Sequence, residues 1–195
     1  MTDRLAAQFA FLQEIDRLKG ILRATPIGDD SRPENSAEHS WHIAMYALVL
    51  ADQAGPDVDI NRVIKMLILH DLVEIDAGDN PIFGEVDVAK MEAQEQIAAD
   101  RIFGMLPDDL RDSLRAIWEE FEAAETASAQ FAKSLDRFQP PMQNLQAGGG
   151  SWTDYNVTEK QIETRIGGKI ALGAPALWDY ARTRIAAFFA AKPKA

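Results

Sequence analysis

"KMLILHDLVEIDAGDN", residues 65–80, decides how the chain folds and what chemistry it carries. Met66, Leu67, Ile68, Leu69, Leu72, Val73 and Ile75 read as the interior of a helix, yet His70, Asp71, Glu74, Asp76 and Asp79 are set into it. The only cation in the stretch is Lys65, six positions and nearly two turns before Asp71. Burying a carboxylate without a partner costs several kcal/mol or more, so Asp71 needs a cation or dense hydrogen bonding. A divalent metal held by imidazole and carboxylate removes the difficulty and keeps both groups deprotonated.

Working outward, a length of 195 residues suffices for one good core and is short for two, which predicts a single domain over residues 1–195. No apolar run approaches the roughly 18–20 residues that cross a bilayer. The opening "MTDRLAAQFAFLQEIDRLKG" mixes acids and bases with its apolar residues, as a secretory signal does not. The sequence has no cysteine, so thiol chemistry is excluded, a metal must be held by His, Asp or Glu, and a cytoplasmic setting fits. A net charge of −11 without a basic run argues against nucleic-acid polymers and against a basic membrane-binding face. A small anionic substrate stays open, because a few arginines and a metal reverse the local potential.

Helical periodicity predicts an all-α protein. A first helix is expected over about residues 3–22, capped by Thr2, with Leu5, Phe9, Leu12, Ile15, Leu18 and Leu22 on one stripe. After the loop "TPIGDDSRPEN", Ser36 reads as the N-cap of a helix over roughly 37–54 whose apolar residues fall on nearly all sides, as in a central element. Asp59 reads as the cap of a third helix, roughly 60–76. Others are expected over about 86–105, from Pro107 and Asp108 through "DDLRDSLRAIWEEFEAAE", and over roughly 127–146, the last bent or interrupted by "QPP". "AGGGSWTDYN" is irregular, and two helices follow at about 158–166 and 174–191.

The chain has three histidines, His39, His42 and His70; two sit on the two helices read as central, and His70 is followed directly by Asp71. A lone histidine is more often a satisfied core residue than a ligand. The carboxylate beside His70 changes that weighing, and His39 on the preceding helix can supply a further ligand. Asp136, in "KSLDRFQPP" between Leu135 and Phe138, is the best-placed fourth; taken alone it would read as a solvated surface residue. Two imidazoles and two carboxylates leave open positions on an octahedral ion for water and substrate.

The segments "ENSAEHSWHIAMYALVLAD", "LHDLVEIDAGD" and "AKSLDR" resemble the H…HD…D signature of the HD-domain metal-dependent phosphohydrolases. The likeness is greatest to the small single-domain branch that includes the 5′-deoxynucleotidases. It covers roughly residues 12–147 and extends to the flanking "RPEN", "GD" and "LPDDLR…IWEEFE". The resemblance implies an HD-type helical bundle around a central metal site, with His39, His70, Asp71 and Asp136 holding one divalent ion of the Co, Mn, Fe or Zn kind. It makes Asp71 and Glu74 the catalytic pair, with Glu74 orienting or deprotonating the attacking water, and gives Asp79 a contact to the sugar hydroxyl. Arg23 and Arg32, which flank the loop leading to His39, are the expected phosphate clamps. The plain alternatives are a helix-surface glutamate at 74 and a turn-forming aspartate at 79. Arg137 reads as a solvent-facing neighbour of Asp136, and His42 as a packed or half-exposed residue.

The function implied is release of phosphate from (deoxy)nucleoside monophosphates by metal-activated water. The deoxynucleotidases place tryptophan just after the arginine equivalent to Arg23, where this chain has Ala24, so the preference for 2′-deoxyribose stays open. The rivals are a phosphohydrolase acting on another nucleotide or phosphomonoester, and a metal-binding helical module without turnover. Homodimers are common in the resembling branch, and the more polar helices past residue 86 offer a contact.

Overall fold

The periodic segments become helices with caps that the sequence encodes, in a computed structural model that describes residues 2–84 and 87–191. Helix α1 (Thr2–Ile15) runs into a 3₁₀ turn (Asp16–Gly20), followed by the antiparallel pair β1 (Leu22–Pro26) and β2 (Pro33–Asn35). Next come α2 (Ser36–Val49), α3 (Ile60–Leu69), a 3₁₀ turn (His70–Val73) and the short α4 (Glu74–Ala77). Helices α5 (Val88–Phe103), α6 (Asp108–Ala123) and α7 (Ala127–Gln146) form the middle of the chain. The end is built from α8 (Ser151–Asp154), α9 (Glu159–Ile162), a π-helical turn (Glu163–Gly167), α10 (Gly168–Gly173) and α11 (Pro175–Ala191).

Helix α3 sits against α2, α6 and α7, and α7 packs in turn on α10 and α11. Val63, Met66 and Leu67 of α3, Ile43 and Ala47 of α2, and Phe131 and Leu135 of α7 are fully buried where these helices meet. Several of the helices start on a side chain that accepts orphan N–H groups. Asp59 Oδ1 accepts from the amides of Asn61 and Arg62 to start α3, Asp87 accepts from Lys90 N–H to start α5, and Thr126 Oγ1 accepts from Ala129 N–H to start α7.

The structure departs from expectation where local geometry changes. The segment read as a loop, residues 25–35, instead belongs to the β1–β2 hairpin, which begins at Leu22. The first helix ends at Ile15, and the 3₁₀ turn breaks the period that made one stripe of Leu5 through Leu22. Phe11 and Leu18 are the buried residues there, whereas Leu5, Phe9, Leu12 and Leu22 are more than half exposed. The expected Thr2 cap concerns a side chain outside the described ones, as does the start of the 86–105 helix at residue 86. Asn35, not Ser36, caps α2, in a capping box with Glu38. That helix buries only one side, leaving Trp41, Leu48 and Val49 exposed. The third helix ends at Leu69 rather than 76, while α7 runs unbroken through Pro140 and Pro141. Proline has no N–H, so the carbonyls of Asp136 and Arg137 lack their helical partners.

The tightest approach in the bundle lies between α10 and α7, where Gly173 N–H donates to Ser134 Oγ at 3.2 Å. A Cβ on Gly173 would come within 2.4 Å of the Gln130 backbone carbon and oxygen. Backbone cannot swing away as a side chain can, so Gly173→Ala should lower the unfolding free energy by about 1–3 kcal/mol, the usual cost of overpacking. Urea denaturation of the two proteins, with unchanged slope and a lower midpoint for the variant, is the expected result.

Candidate metal centre

The segment "RPENSAEH", residues 32–39, supplies one wall of the site, and nearly every residue in it has an assigned partner. Arg32 holds both carboxylate oxygens of Glu38 at 2.8 Å each. Glu38 and Asn35 complete the capping box that starts α2. Ser36 Oγ donates to Glu74 Oε2 at 2.6 Å, and one turn into the helix His39 is fully buried.

His39 Nδ1–H donates to Gln139 Oε1 at 3.0 Å, which leaves its Nε2 lone pair facing Asp136 Oδ1 at 3.1 Å. Gln139 is oriented by Glu34, whose Oε1 accepts from Gln139 Nε2 at 3.0 Å and from Gln143 Nε2 at 2.8 Å. Gln139 Nε2 also lies 3.1 Å from His42 Nδ1, so the half-buried His42 reaches the centre only through that amide. Fixing the far nitrogen of a ligating imidazole in this way sets its tautomer and orientation.

The second imidazole is fixed differently. His70 Nδ1–H donates to the Leu67 carbonyl at 2.8 Å. Its Nε2 is buried without a hydrogen-bond partner among the described residues, although Asp71 Oδ1 lies 2.9 Å away and Asp136 Oδ1 3.8 Å away. The turn that carries it is anchored by Trp118 of α6, whose Nε1–H donates to the His70 carbonyl at 3.2 Å.

His39, His70 and Asp136, all buried, offer ligand atoms within 4.8 Å of one another. Asp71 stands at the edge of this group, its Oδ1 beside His70 and its Oδ2 accepting from Arg23 Nη1 at 2.9 Å. A buried imidazole nitrogen left orphaned between two carboxylates is the environment a divalent cation satisfies, and a mixed nitrogen and oxygen donor set suits a first-row ion.

Electrostatics follow from this crowding. Burial disfavours a charged His70, but the Asp71 and Asp136 carboxylates outweigh it and push the imidazole up to about 10. Burial would likewise raise Asp71, yet His70 and Arg23 hold it down at about 2. Burial, reinforced by the Asp71 charge, pushes Glu74 well above the ordinary carboxylate range. Burial also raises Asp79, whose Oδ1 is 3.7 Å from Arg23 Nη1.

A cavity of about 650 Å³ opens onto His70, Asp71, Glu74, Asp79, Asp136 and Arg23. Arg23 meets Asp71, Asp79, Glu74 and Glu34 within 4.0 Å, so it neutralises carboxylates. Arg32 is half exposed, paired with Glu38, and absent from the cavity wall. In this arrangement it secures the start of the helix that carries His39, away from the position expected of a phosphate clamp. Arg137, read as solvent-facing, lines the cavity instead, with its Nε buried. Sequence reasoning missed Glu34, Gln139 and the Ser36–Glu74 bond. One signal was present: Gln139 and Gln143 follow Asp136 by three and seven residues, on the same helix face.

With this geometry established, the relatives are informative. The HD-domain sequence pattern matches residues 15–178, and the chain belongs to the HD-domain family. A human 5′-deoxynucleotidase is 30% identical over 128 residues, 65% of this chain and 61% of that protein. The chain thus spans about three fifths of the length of that relative. A 5′-deoxynucleotidase of Klebsiella pneumoniae strain ATCC 700721 is 28% identical over 156 residues, 75% of this chain and 78% of that protein. The solved structure of a predicted metal-dependent phosphohydrolase from Magnetospirillum magnetotacticum MS-1 superposes with a TM-score of 0.88 at 45% identity, covering 96% of each chain.

A cation entering this centre must displace the proton on His70 Nε2. With the imidazole at about 10, the metal-free protein carries that proton at pH 7. The apparent metal affinity should therefore rise by about tenfold per pH unit above pH 7 and level off near the imidazole value, as expected for one proton released per ion bound. Calorimetry in buffers of different ionisation enthalpy should register that proton; a buffer-independent heat with pH-independent affinity would remove His70 from the ligand set.

Proposed function

We propose that the chain is a metal-dependent phosphomonoesterase releasing phosphate from nucleoside 5′-monophosphates, with His39, His70, Asp71 and Asp136 holding one divalent ion. The observation that carries this reading is the convergence of two buried, tautomer-fixed imidazoles and Asp136 at the cavity that also receives Glu74. Similarity to enzymes named 5′-deoxynucleotidases supports the substrate class. Manganese, iron, cobalt or zinc suits the donor set. The bound ion supplies Lewis-acid activation of water and of a phosphoryl oxygen.

The residues divide the remaining work. Ser36 Oγ occupies Glu74 Oε2, which leaves Oε1 to take the proton of the attacking water. The raised proton affinity of Glu74 makes it a better base than an exposed glutamate. As the water oxygen bonds to phosphorus in line, the ester P–O bond breaks, and the proton gained by Glu74 can pass to the leaving 5′ oxygen. Arg23 keeps Asp71 and Asp79 charged and in place, and Asp79 is set to meet a sugar hydroxyl. Ala24 lines the same cavity with a single methyl group, so the sugar is gripped less closely there than a larger side chain would grip it.

A single domain is part of the reading, since one buried cluster joins Phe11 of α1 to Ile185 of α11. No described helix is long and apolar enough to cross a membrane. A cytoplasmic setting is supported by the cysteine-free sequence. For the homodimer, the exposed apolar stripes Leu5, Phe9 and Leu12 on α1 and Trp41, Met45 and Leu48 on α2 are better surfaces than the polar helices past residue 86.

The test is phosphate release from ribo- and deoxyribonucleoside monophosphates by protein stripped with EDTA and resupplied with Mn²⁺, Co²⁺, Zn²⁺ or Mg²⁺. Stripped protein should be inactive and a transition ion should restore turnover. Glu74→Gln should lose on the order of 10²–10⁴-fold in kcat with metal content unchanged, the usual weight of a general base. No release with any metal would overturn the enzymatic reading in favour of a binding module.

A further inference from the structure

In a chain of net charge −11, five cations line the cavity: Arg23, Lys133, Arg137, Arg165 and Lys169. Three are committed to other groups. Arg23 is surrounded by Asp71, Asp79, Glu74 and Glu34. Lys133 Nζ donates to both carboxylate oxygens of Glu122 at 3.0 and 3.1 Å. Arg165 Nη1 donates to the Ile82 carbonyl at 2.8 Å.

Arg137 and Lys169 remain. Arg137 directly follows Asp136, and its Nε lies 3.5 Å from Asp136 Oδ2 without forming a hydrogen bond. Lys169 pairs with no carboxylate among the described residues. Its backbone is held against α7, because Ser134 Oγ donates to the Lys169 carbonyl at 3.3 Å. The charge of Arg137, then partial burial, then Lys133 lower the proton affinity of the Lys169 ammonium, while the Asp136 carboxylate raises it. The one acid that acts on both, Asp136, is also a member of the metal centre, and the buried Arg137 Nε has no hydrogen-bond partner, so the cationic capacity left on this wall of the cavity is met by a bound anion.

We propose that Arg137 and Lys169 form an anion subsite on the α7–α10 side of the cavity, which grips the non-bridging oxygens of the substrate's phosphoryl group. This assigns to them the role that sequence reading gave to Arg23 and Arg32. The identity of the anion rests on the phosphomonoesterase reading; the existence of the subsite does not. Arg137 offers the planar fork and Lys169 a point charge, a pairing suited to the tetrahedral phosphate dianion.

The probe is inorganic phosphate, titrated by calorimetry into the metal-loaded full chain. Arg137→Ala and Lys169→Ala should each weaken phosphate binding by about tenfold, and the double variant by about 100-fold, in line with charge-assisted hydrogen bonds. Metal content and melting temperature should stay at wild-type values. KM for a nucleoside monophosphate should rise in the same order. Arg111→Ala, at a pair with Asp108 outside the cavity lining, should bind phosphate as the wild type does. Lys169→Met, which keeps the long stem at an exposed position, gives a second reading should the double variant fold poorly. Wild-type affinity in the Lys169 variants and Arg137→Ala would overturn the proposal, and so would absence of phosphate binding by the wild type. Phosphate binding that is lost in the variants, in a protein that hydrolyses nothing, would uphold the subsite and overturn the phosphomonoesterase reading instead.

Discussion

Asp71 and Asp136 are carboxylates less than a tenth exposed, and the need to compensate their charge governs the centre of the molecule. Their own helices do not suffice, because Lys65 lies nearly two turns before Asp71, and Arg137 offers Asp136 an ion pair at 3.5 Å without a hydrogen bond. Compensation must come from other segments. Arg23 arrives on the β1–β2 hairpin, His39 on α2 and His70 on the turn after α3, while Asp136 comes from α7. Removing one partner from such a set costs about 3–5 kcal/mol, because the charge left behind stays buried. Four segments far apart in sequence are tied together by that penalty, and the cation-binding centre is the place where they meet.

The same constraint explains the division of labour among the arginines. A guanidinium ringed by four carboxylates stabilises them and has little positive potential left for a phosphate, and Arg23 is in that position. Arg32 is taken by Glu38 at the start of α2. The net-negative side of the cavity, with Asp71, Glu74 and Asp79, suits proton transfer and hydroxyl contacts. The cavity wall on the α7–α10 side carries Arg137, whose one carboxylate neighbour is Asp136 at 3.5 Å, and Lys169, which pairs with none among the described residues. On the proposed function, separation of the two regions would let one cavity attract a phosphate and still hold a base beside it.

Much of this was legible in the sequence, and the failures have physical causes. The helices showed because amphipathic period and caps are local, and Asp59 capped α3 as its position foretold. His39, His70 and Asp136 converge because buried imidazoles and acids on apolar helix faces have few other reasons to be there. The turn of the Arg32 side chain to Glu38 was not legible, because nearness in sequence to His39 says nothing about which way a long side chain turns. The Glu34–Gln139 bond was invisible because it joins residues 105 positions apart. The stripe on α1 misled in another way: period identifies an apolar face but not whether this chain or another surface covers it, and Leu5, Phe9 and Leu12 are left exposed.

The change of helical geometry at His70 shows how a local irregularity serves the site. In a continuing α-helix the amide of Glu74 would bond to the His70 carbonyl. Here it turns to the carbonyls of Asp71 and Leu72, as in a tighter 3₁₀ coil. The His70 carbonyl thereby loses its α-helical partner, and Trp118 Nε1 donates to it at 3.2 Å. A carbonyl has two lone pairs, and the indole donor from α6 occupies one that the 3₁₀ bond leaves free. In exchange, the backbone of His70 is pinned to α6 while its ring is pinned to the Leu67 carbonyl through Nδ1. Both constraints act on the residue whose Nε2 must point at one place, between Asp71 and Asp136. The tryptophan in "IWEEFE" is therefore legible as part of the centre, although it touches no ligand atom and lies 48 residues away.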